Sequence, residues 1–153
     1  AELTALLQAR EDAFVDNVAL PEGVSGMLER VAARFPLALL SNYPDGGAIR
    51  RSLRTIGIDH HFGAVVVSAD LGYVKPHPLL FAAVLQELGL ASRDVLYVGD
   101  NWLADVQGAK RVGMQAAQAT YWGAAEHFPR QAGDAEPDAV LARLEDLVEI
   151  LQC

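Results

Sequence analysis

Short apolar runs alternate with longer amphipathic stretches along most of the chain. The runs at 37–42, 64–70, 94–99 and 114–120 are bounded by turn or polar residues, which is typical of strands buried on both faces. The segments between them, such as 77–89, carry apolar residues at helical spacing. Strands that alternate with helices indicate right-handed crossovers, so we expect an α/β fold with a doubly wound parallel sheet.

The two ends of the chain extend this pattern. Two helices are expected before the first strand, over 2–15 and 21–35. After the strand at 114–120, a Gly-, Pro- and acid-rich loop leads to a short strand at 137–140 and an amphipathic helix at 141–151. In the loop, Tyr121 and Trp122 are expected to pack beneath the edge of the sheet formed by the carboxyl ends of the strands, without a chemical role.

Polar residues stand where the predicted strands end. Ser41 and Asn42 end the first strand, Lys75 follows the second within a few residues, and Asp100 follows the third, with Asp105 close behind. Ligands bind parallel sheets at the carboxyl ends of the strands, so we expect Ser41, Lys75, Asp100 and Asp105 to converge there within roughly 10 Å. Two carboxylates, a lysine and a hydroxyl suit a hard divalent cation and a phosphoryl group.

Composition narrows the classes of partner and compartment. The 153 residues suit one compact core, and the net charge of -8 argues against binding to nucleic acid. The only cysteine, Cys153, permits no internal disulfide, which fits a reducing, cytoplasmic compartment. No apolar run reaches the ~18 residues needed to cross a bilayer, so no membrane association is expected.

Three segments carry a resemblance to a known family. "LALLSN", "GYVKPHPLLF" and "VLYVGDNWLADVQGAKRVGM" resemble the second, third and fourth motifs of the haloacid dehalogenase-like (HAD) hydrolase superfamily, over roughly residues 21 to 152. The resemblance implies a Rossmann-like core and an Mg²⁺-dependent phosphohydrolase that acts on a small phosphorylated substrate through an aspartyl-phosphate. It also implies a role for each motif residue: Ser41 bonds the phosphoryl group, Asn42 lines its pocket, Lys75 offsets negative charge, Asp100 binds Mg²⁺, and Asp105 is a further metal ligand or orients one.

The first motif of that superfamily is missing. No Asp-x-Asp occurs, so the aspartate nucleophile is expected to be absent and this chain alone to be inactive. The nearest substitute, Asp16 in "FVDNVAL", would require "AREDAFV" to be a buried strand, which its charges disfavour. The resemblance makes residues 1–20 the remnant of a helical cap and its linker, and residues 21–153 the core.

The same resemblance puts the missing strand between the strands at 37–42 and 94–99. We expect these two strands to stay apart, because the flanking helices are packed for a wider sheet. The gap would take a complementing segment or a second copy of the chain in a homo-oligomer.

Simpler interpretations remain beside these. Asp100 would serve as an N-cap and Asp105 as a surface residue if no metal binds, and Lys75 would be an ordinary solvated lysine. Asp45 is expected to cap a helix or form a turn, and His77 to begin a helix rather than act as a base. Two other functions stay open, a metal-independent hydrolytic dehalogenase of the same superfamily and a non-catalytic pseudoenzyme.

Overall fold

The computed structural model describes residues 2–121 and 130–153. The strands in these residues are β1 Leu37–Ser41, β2 Phe62–Val67, β3 Leu96–Gly99, β4 Gln115–Ala119 and β5 Ala139–Leu141. The α-helices are α1 Glu2–Asn17, α2 Val24–Ala32, α3 Gly46–Thr55, α4 Ser68–Leu71, α5 Pro78–Leu88, α6 Gly108–Arg111 and α7 Asp146–Ile150. A π-helical turn over Trp102–Gln107 leads directly into α6.

The strands form two parallel sheets. β1 pairs with β2, from Leu37 beside Phe62 to Ser41 beside Val67. β3, β4 and β5 pair in that order. The prediction of an α/β fold with parallel strands is therefore confirmed. Among the described residues no ladder joins β1 to β3, which agrees with the expectation that these strands stay apart. What occupies the space between them stays a prediction.

The second strand is shorter than predicted. The run at 64–70 was expected to be extended throughout, but β2 ends at Val67 and the next four residues form the short helix α4. The Ser68 hydroxyl accepts a hydrogen bond from the Tyr43 N–H at 3.0 Å and donates one to the Tyr43 carbonyl at 3.1 Å. These bonds anchor the chain at Ser68, where it turns from β2 into α4.

The C-terminal elements also differ from the expectation. The predicted strand at 137–140 is β5, which ends at Leu141, and the predicted helix at 141–151 is reduced to the five residues of α7. Leu141 is fully buried as a strand residue, so its apolar side chain belongs to the sheet rather than to a helix face. Tyr121 was expected to pack beneath the sheet, but its side chain is 53% exposed. Trp122 lies outside the described residues.

The N-terminal segment is a helix that lies against α3. The Phe14 ring stacks on Tyr43 with centroids 4.4 Å apart, and Arg51 in α3 forms an ion pair with Asp12 at 3.3 Å. Asp16 is an exposed residue within α1, so the interpretation of "AREDAFV" as a buried strand is wrong. The division into a cap remnant over 1–20 and a core over 21–153 stays a prediction.

The buried core is divided into clusters between the helices and the strands. One buried cluster joins α5 to the π-helical turn and β4, and consists of Phe81, Trp102, Val106, Ala109, Met114 and Ala116. A second cluster joins α2 to α7, and a third packs α5 on β2. Leu40 in β1 and Tyr97 in β3 both pack against the first cluster, so the two separate sheets share it. In the described part of the chain no helix is long and apolar enough to cross a membrane.

Asp138 ties β4 to the segment before β5. Its carboxylate accepts hydrogen bonds from the Ala116 N–H and the Lys110 ammonium, each at 2.8 Å. These two donors stabilise the charged form, Lys110 more strongly, and so hold the pKa of Asp138 below its ordinary value of 3.8.

We expect Asp138→Asn to lower the free energy of unfolding at neutral pH by about 1 kcal/mol, limited by solvent screening of a side chain that is 41% exposed. A lowered pKa stabilises the fold above the ordinary pKa, and this stabilisation is lost as the pH falls through the lowered value. The difference between wild type and variant in urea denaturation should therefore shrink below pH 3.8. A difference that stays constant down to about pH 2 would contradict this account.

Candidate active site

Lys75 is the centre of the candidate site. It lies in the loop between α4 and α5, and its ammonium donates hydrogen bonds to Asp105 Oδ1 at 2.6 Å, Tyr97 Oη at 3.0 Å and the Leu40 carbonyl at 3.4 Å. The side chain of Lys75 is 11% exposed and that of Asp105 is 4% exposed. Lys75 is therefore not a solvated lysine but half of a buried ion pair at the carboxyl ends of β1 and β3.

The Asp105 carboxylate is held on both oxygens. Oδ1 accepts from Lys75 and from the Tyr97 hydroxyl, and Oδ2 accepts from the Asn101 N–H at 3.0 Å. The interpretation of Asp105 as a surface residue is wrong. Of the two roles that the resemblance implies, these contacts match the one that orients a neighbouring group, and direct binding of a metal by Asp105 stays a prediction.

The π-helical turn and Gly99 together bring Asp105 inward. Both the Asp105 and the Val106 N–H groups donate to the Asn101 carbonyl, so the turn is widened where Asp105 stands. The carboxyl group lies over Gly99, where a Cβ atom would be 2.5 Å from Asp105 Cγ. Only a glycine at this end of β3 leaves room for the carboxylate.

Sequence reasoning missed Tyr97. Its hydroxyl donates to Asp105 Oδ1 at 3.1 Å and accepts from Lys75. Burial of the hydroxyl and the adjacent charge of Asp105 raise the pKa of Tyr97 well above its ordinary value of 10, so the phenol stays protonated. The sequence could have indicated Tyr97, because a tyrosine in a strand buried on both faces needs a partner for its hydroxyl.

The capping role that was the simpler interpretation of Asp100 belongs to its neighbour Asn101. The Asn101 side chain caps the following turn by accepting from the Ala104 N–H at 2.8 Å. Asp100 is therefore not the N-cap. It is exposed directly after β3, and its negative charge contributes to the raised pKa of Tyr97. Its convergence with Lys75 and its role as a metal ligand stay predictions.

The Asn42 side chain holds the backbone of the loop that carries Lys75. Its side chain accepts from the Lys75 N–H at 2.8 Å and donates to the Lys75 carbonyl at 3.3 Å. Ser41 ends β1, half-buried, between two residues that both contact Lys75. The structure thus brings Ser41, Asn42, Lys75 and Asp105 to one edge, while the predicted roles of Ser41 and Asn42 toward a phosphoryl group stay predictions.

Asp45 and His77 each cap the N-terminus of a helix. Asp45 caps α3 by accepting from the Ala48 N–H at 2.7 Å, as expected. His77 is the N-cap of α5, and its ring nitrogen accepts from the Leu79 N–H at 3.4 Å. The expectation that His77 begins a helix rather than acts as a base is consistent with this contact.

Asp100 is the candidate metal ligand of this site, because its carboxylate is exposed whereas that of Asp105 is paired with Lys75. Within residues 2–121 and 130–153, no three His, Cys, Asp or Glu side chains are arranged to hold an ion. Mg²⁺ in phosphoryl-transfer sites is bound through one or two carboxylates together with phosphate oxygens and water. The exposed carboxylate of Asp100 suits such a shared site.

Several known proteins are similar to this chain in sequence or in fold. Phosphoserine phosphatase of Thermus thermophilus is 38% identical over 97 residues, which are 63% of this chain and 38% of that protein. Pyrophosphatase PpaX of Halalkalibacterium halodurans is 29% identical over 152 residues, which are 98% of this chain and 68% of that protein. The crystal structure of a 2-haloacid dehalogenase from Pseudomonas syringae pv. Tomato superposes with a TM-score of 0.71 at 28% identity, over 89% of this chain and 54% of that one.

The family model agrees with these relatives. The chain spans about half the length, or less, of several curated relatives that it matches. The model for the haloacid dehalogenase-like hydrolases matches residues 2–119, which include β1 to β4 and the Lys75 site. This chain belongs to the haloacid dehalogenase-like hydrolase family.

Proposed function

We propose that this chain carries the phosphoryl- and Mg²⁺-binding part of a phosphohydrolase that cleaves a small phosphate ester through an aspartyl-phosphate. The observation that carries this proposal is the buried Lys75–Asp105 ion pair beside the exposed Asp100 carboxylate, at the carboxyl ends of β1 and β3. A fixed positive charge and a free carboxylate at one sheet edge suit a phosphoryl group and its metal.

Each residue then has a distinct task. The Lys75 ammonium stabilises negative charge on the phosphoryl oxygens, and the Ser41 hydroxyl donates a hydrogen bond to one of them. Asn42 holds the Lys75 backbone in place. Asp100 would hold Mg²⁺, which when bound supplies charge stabilisation at the phosphoryl oxygens.

The nucleophile in this proposal is a carboxylate outside this chain, on a strand that lies between β1 and β3. The absence of Asp-x-Asp from the sequence supports this, and so does the absence of a ladder between these two strands in the described residues. Lys75 contacts both sides of that gap, through Leu40 in β1 and Tyr97 in β3. A complementing segment is favoured over a second copy of the chain, because a second copy would also lack Asp-x-Asp.

The names of the relatives favour a phosphate ester as substrate. Phosphatases for phosphoserine and phosphoglycolate are among them, and these are small phosphorylated molecules. A structural relative is a 2-haloacid dehalogenase, so metal-independent halide release is the second candidate. The exposed Asp100 favours the phosphatase, because a metal-independent reaction has no use for a free carboxylate beside the lysine.

Asp100→Asn tests the metal role. In a thermal unfolding assay with inorganic phosphate, Mg²⁺ should raise the melting temperature of the wild type, and Asp100→Asn should lose most of that rise. Without metal this variant should stay within about 0.5 kcal/mol of wild type or gain stability, because one carboxylate charge is removed.

Asn101→Ala is the matched control. It should lose about 1 kcal/mol without metal, because the turn loses its cap, and should keep the Mg²⁺ response. An Asp100→Asn variant that responds to Mg²⁺ like the wild type would refute the metal site.

A further inference from the structure

The Lys75 ammonium has no hydrogen-bond donor to spare. An ammonium carries three N–H donors, and Lys75 has three acceptors in the structure, on Asp105, Tyr97 and Leu40. A phosphoryl oxygen can bind Lys75 only by replacing one of them. The arrangement therefore raises the question of which acceptor is exchanged.

The three contacts differ in length and in what holds them. Asp105 Oδ1 is the nearest at 2.6 Å and bears the opposite charge. Tyr97 Oη at 3.0 Å is itself bonded to Asp105 at 3.1 Å, so these two acceptors form a linked pair. The Leu40 carbonyl is the farthest at 3.4 Å and is a neutral backbone group. The Leu40 contact is the weakest of the three.

We propose that Tyr97 is a positioning residue, which together with Asp105 forms a fixed two-point anchor for Lys75. The N–H that Lys75 donates to the Leu40 carbonyl is then the one that turns to a phosphoryl oxygen. The exchange at Leu40 rests on the proposed function, which supplies the phosphoryl ligand. The anchor of Lys75 does not depend on it. Tyr97 acts through Lys75 and needs no contact with substrate.

The lysine content of the chain makes the anchor measurable. The sequence contains two lysines, Lys75 and Lys110, so ¹⁵N-lysine NMR resolves two side-chain ammonium signals. Lys110 is paired with Asp138, which is not an acceptor of Lys75, and serves as the internal reference. Hydrogen exchange of the ammonium with water reports how firmly its acceptors hold it.

Tyr97→Phe removes the hydroxyl and keeps the ring that packs on Phe81 with centroids 5.3 Å apart. We expect the Lys75 ammonium to exchange about three- to tenfold faster in this variant, and the Lys110 ammonium to be unchanged. The dissociation constant for inorganic phosphate with Mg²⁺ should rise by a similar factor. Tyr73→Phe, at a tyrosine that is 43% exposed, is the control and should change neither quantity.

The exchanged acceptor is tested at Leu40 itself. Leu40–Ser41 is the only Leu-Ser pair in the sequence, so ¹³C-carbonyl leucine with ¹⁵N-serine labelling gives a single cross-peak for this peptide bond. Addition of inorganic phosphate and Mg²⁺ should shift the Leu40 carbonyl as its hydrogen bond to Lys75 is lost. A Lys75 signal that moves while the Leu40 carbonyl does not would overturn the exchange at Leu40.

The two proposals can fail separately. If the wild type binds no phosphate, the proposed function and the exchange at Leu40 are wrong, and ammonium exchange in Tyr97→Phe still decides the anchor. Faster exchange at Lys75 alone supports it. Unchanged Lys75 exchange overturns it, whether or not phosphate binds.

Discussion

Lys75→Met is expected to destabilise the protein by about 3–5 kcal/mol, because it leaves the buried Asp105 carboxylate without its counter-ion. Methionine keeps an unbranched side chain of similar length, so the charge is the main loss. Urea denaturation followed by circular dichroism measures the change. The variant should also lose inorganic phosphate binding.

Lys110→Met is the matched control, since Lys110 is the other lysine of the chain and pairs with a carboxylate that is 41% exposed. We expect it to cost no more than about 1 kcal/mol. The double variant Lys75→Met, Asp105→Asn should be more stable than Lys75→Met alone, because the unpaired charge is gone. A double variant that is less stable than Lys75→Met would contradict the buried ion pair, even if the single variant unfolds.

Gly99→Ala is expected to cost about 1–3 kcal/mol through overpacking, with a further loss if Asp105 is driven away from Lys75. The added Cβ would lie 2.5 Å from Asp105 Cγ and Oδ2 and 2.6 Å from its Cβ, and these atoms are held from both sides. The Lys75 ammonium should then exchange faster with water than in the wild type. Urea denaturation and ¹⁵N-lysine NMR measure the two effects.

Gly26→Ala supplies the control for this substitution. Gly26 lies within α2, and an added Cβ there would meet no described atom within 4 Å. We expect Gly26→Ala to be neutral or to stabilise the protein by up to about 1 kcal/mol, as alanine favours helix. If Gly99→Ala were as well tolerated as Gly26→Ala, the close approach of Asp105 to β3 would be wrong.

The alternation of strands and helices could be predicted from the sequence because buried parallel strands are continuously apolar. Their ends were harder to place. The apolar pattern continues past Val67, and it is the pair of hydrogen bonds between Ser68 and the Tyr43 backbone that marks the turn into α4. A bond between residues 25 positions apart leaves no trace in local periodicity.

The candidate site could likewise be predicted from the sequence only in part. Lys75 and Asp105 could be identified from the residues and their resemblance to a family, but their mutual contact depends on the π-helical turn, which no helical spacing rule indicates. The N-cap was assigned to Asp100 as the simpler alternative, whereas Asn101 takes it. Both residue types cap helices well, so sequence preference does not separate neighbours.

We propose above all that this chain binds a phosphoryl group jointly with Mg²⁺ beside Lys75. Isothermal titration of the wild-type chain with inorganic phosphate, with and without Mg²⁺, measures this joint binding. We predict weak binding that strengthens with Mg²⁺ and that Lys75→Met abolishes, with no turnover of a phosphate ester by this chain alone. Phosphate binding that is absent, or equally strong without Mg²⁺, would contradict the claim, and so would Mg²⁺-dependent turnover abolished by Asp16→Ala.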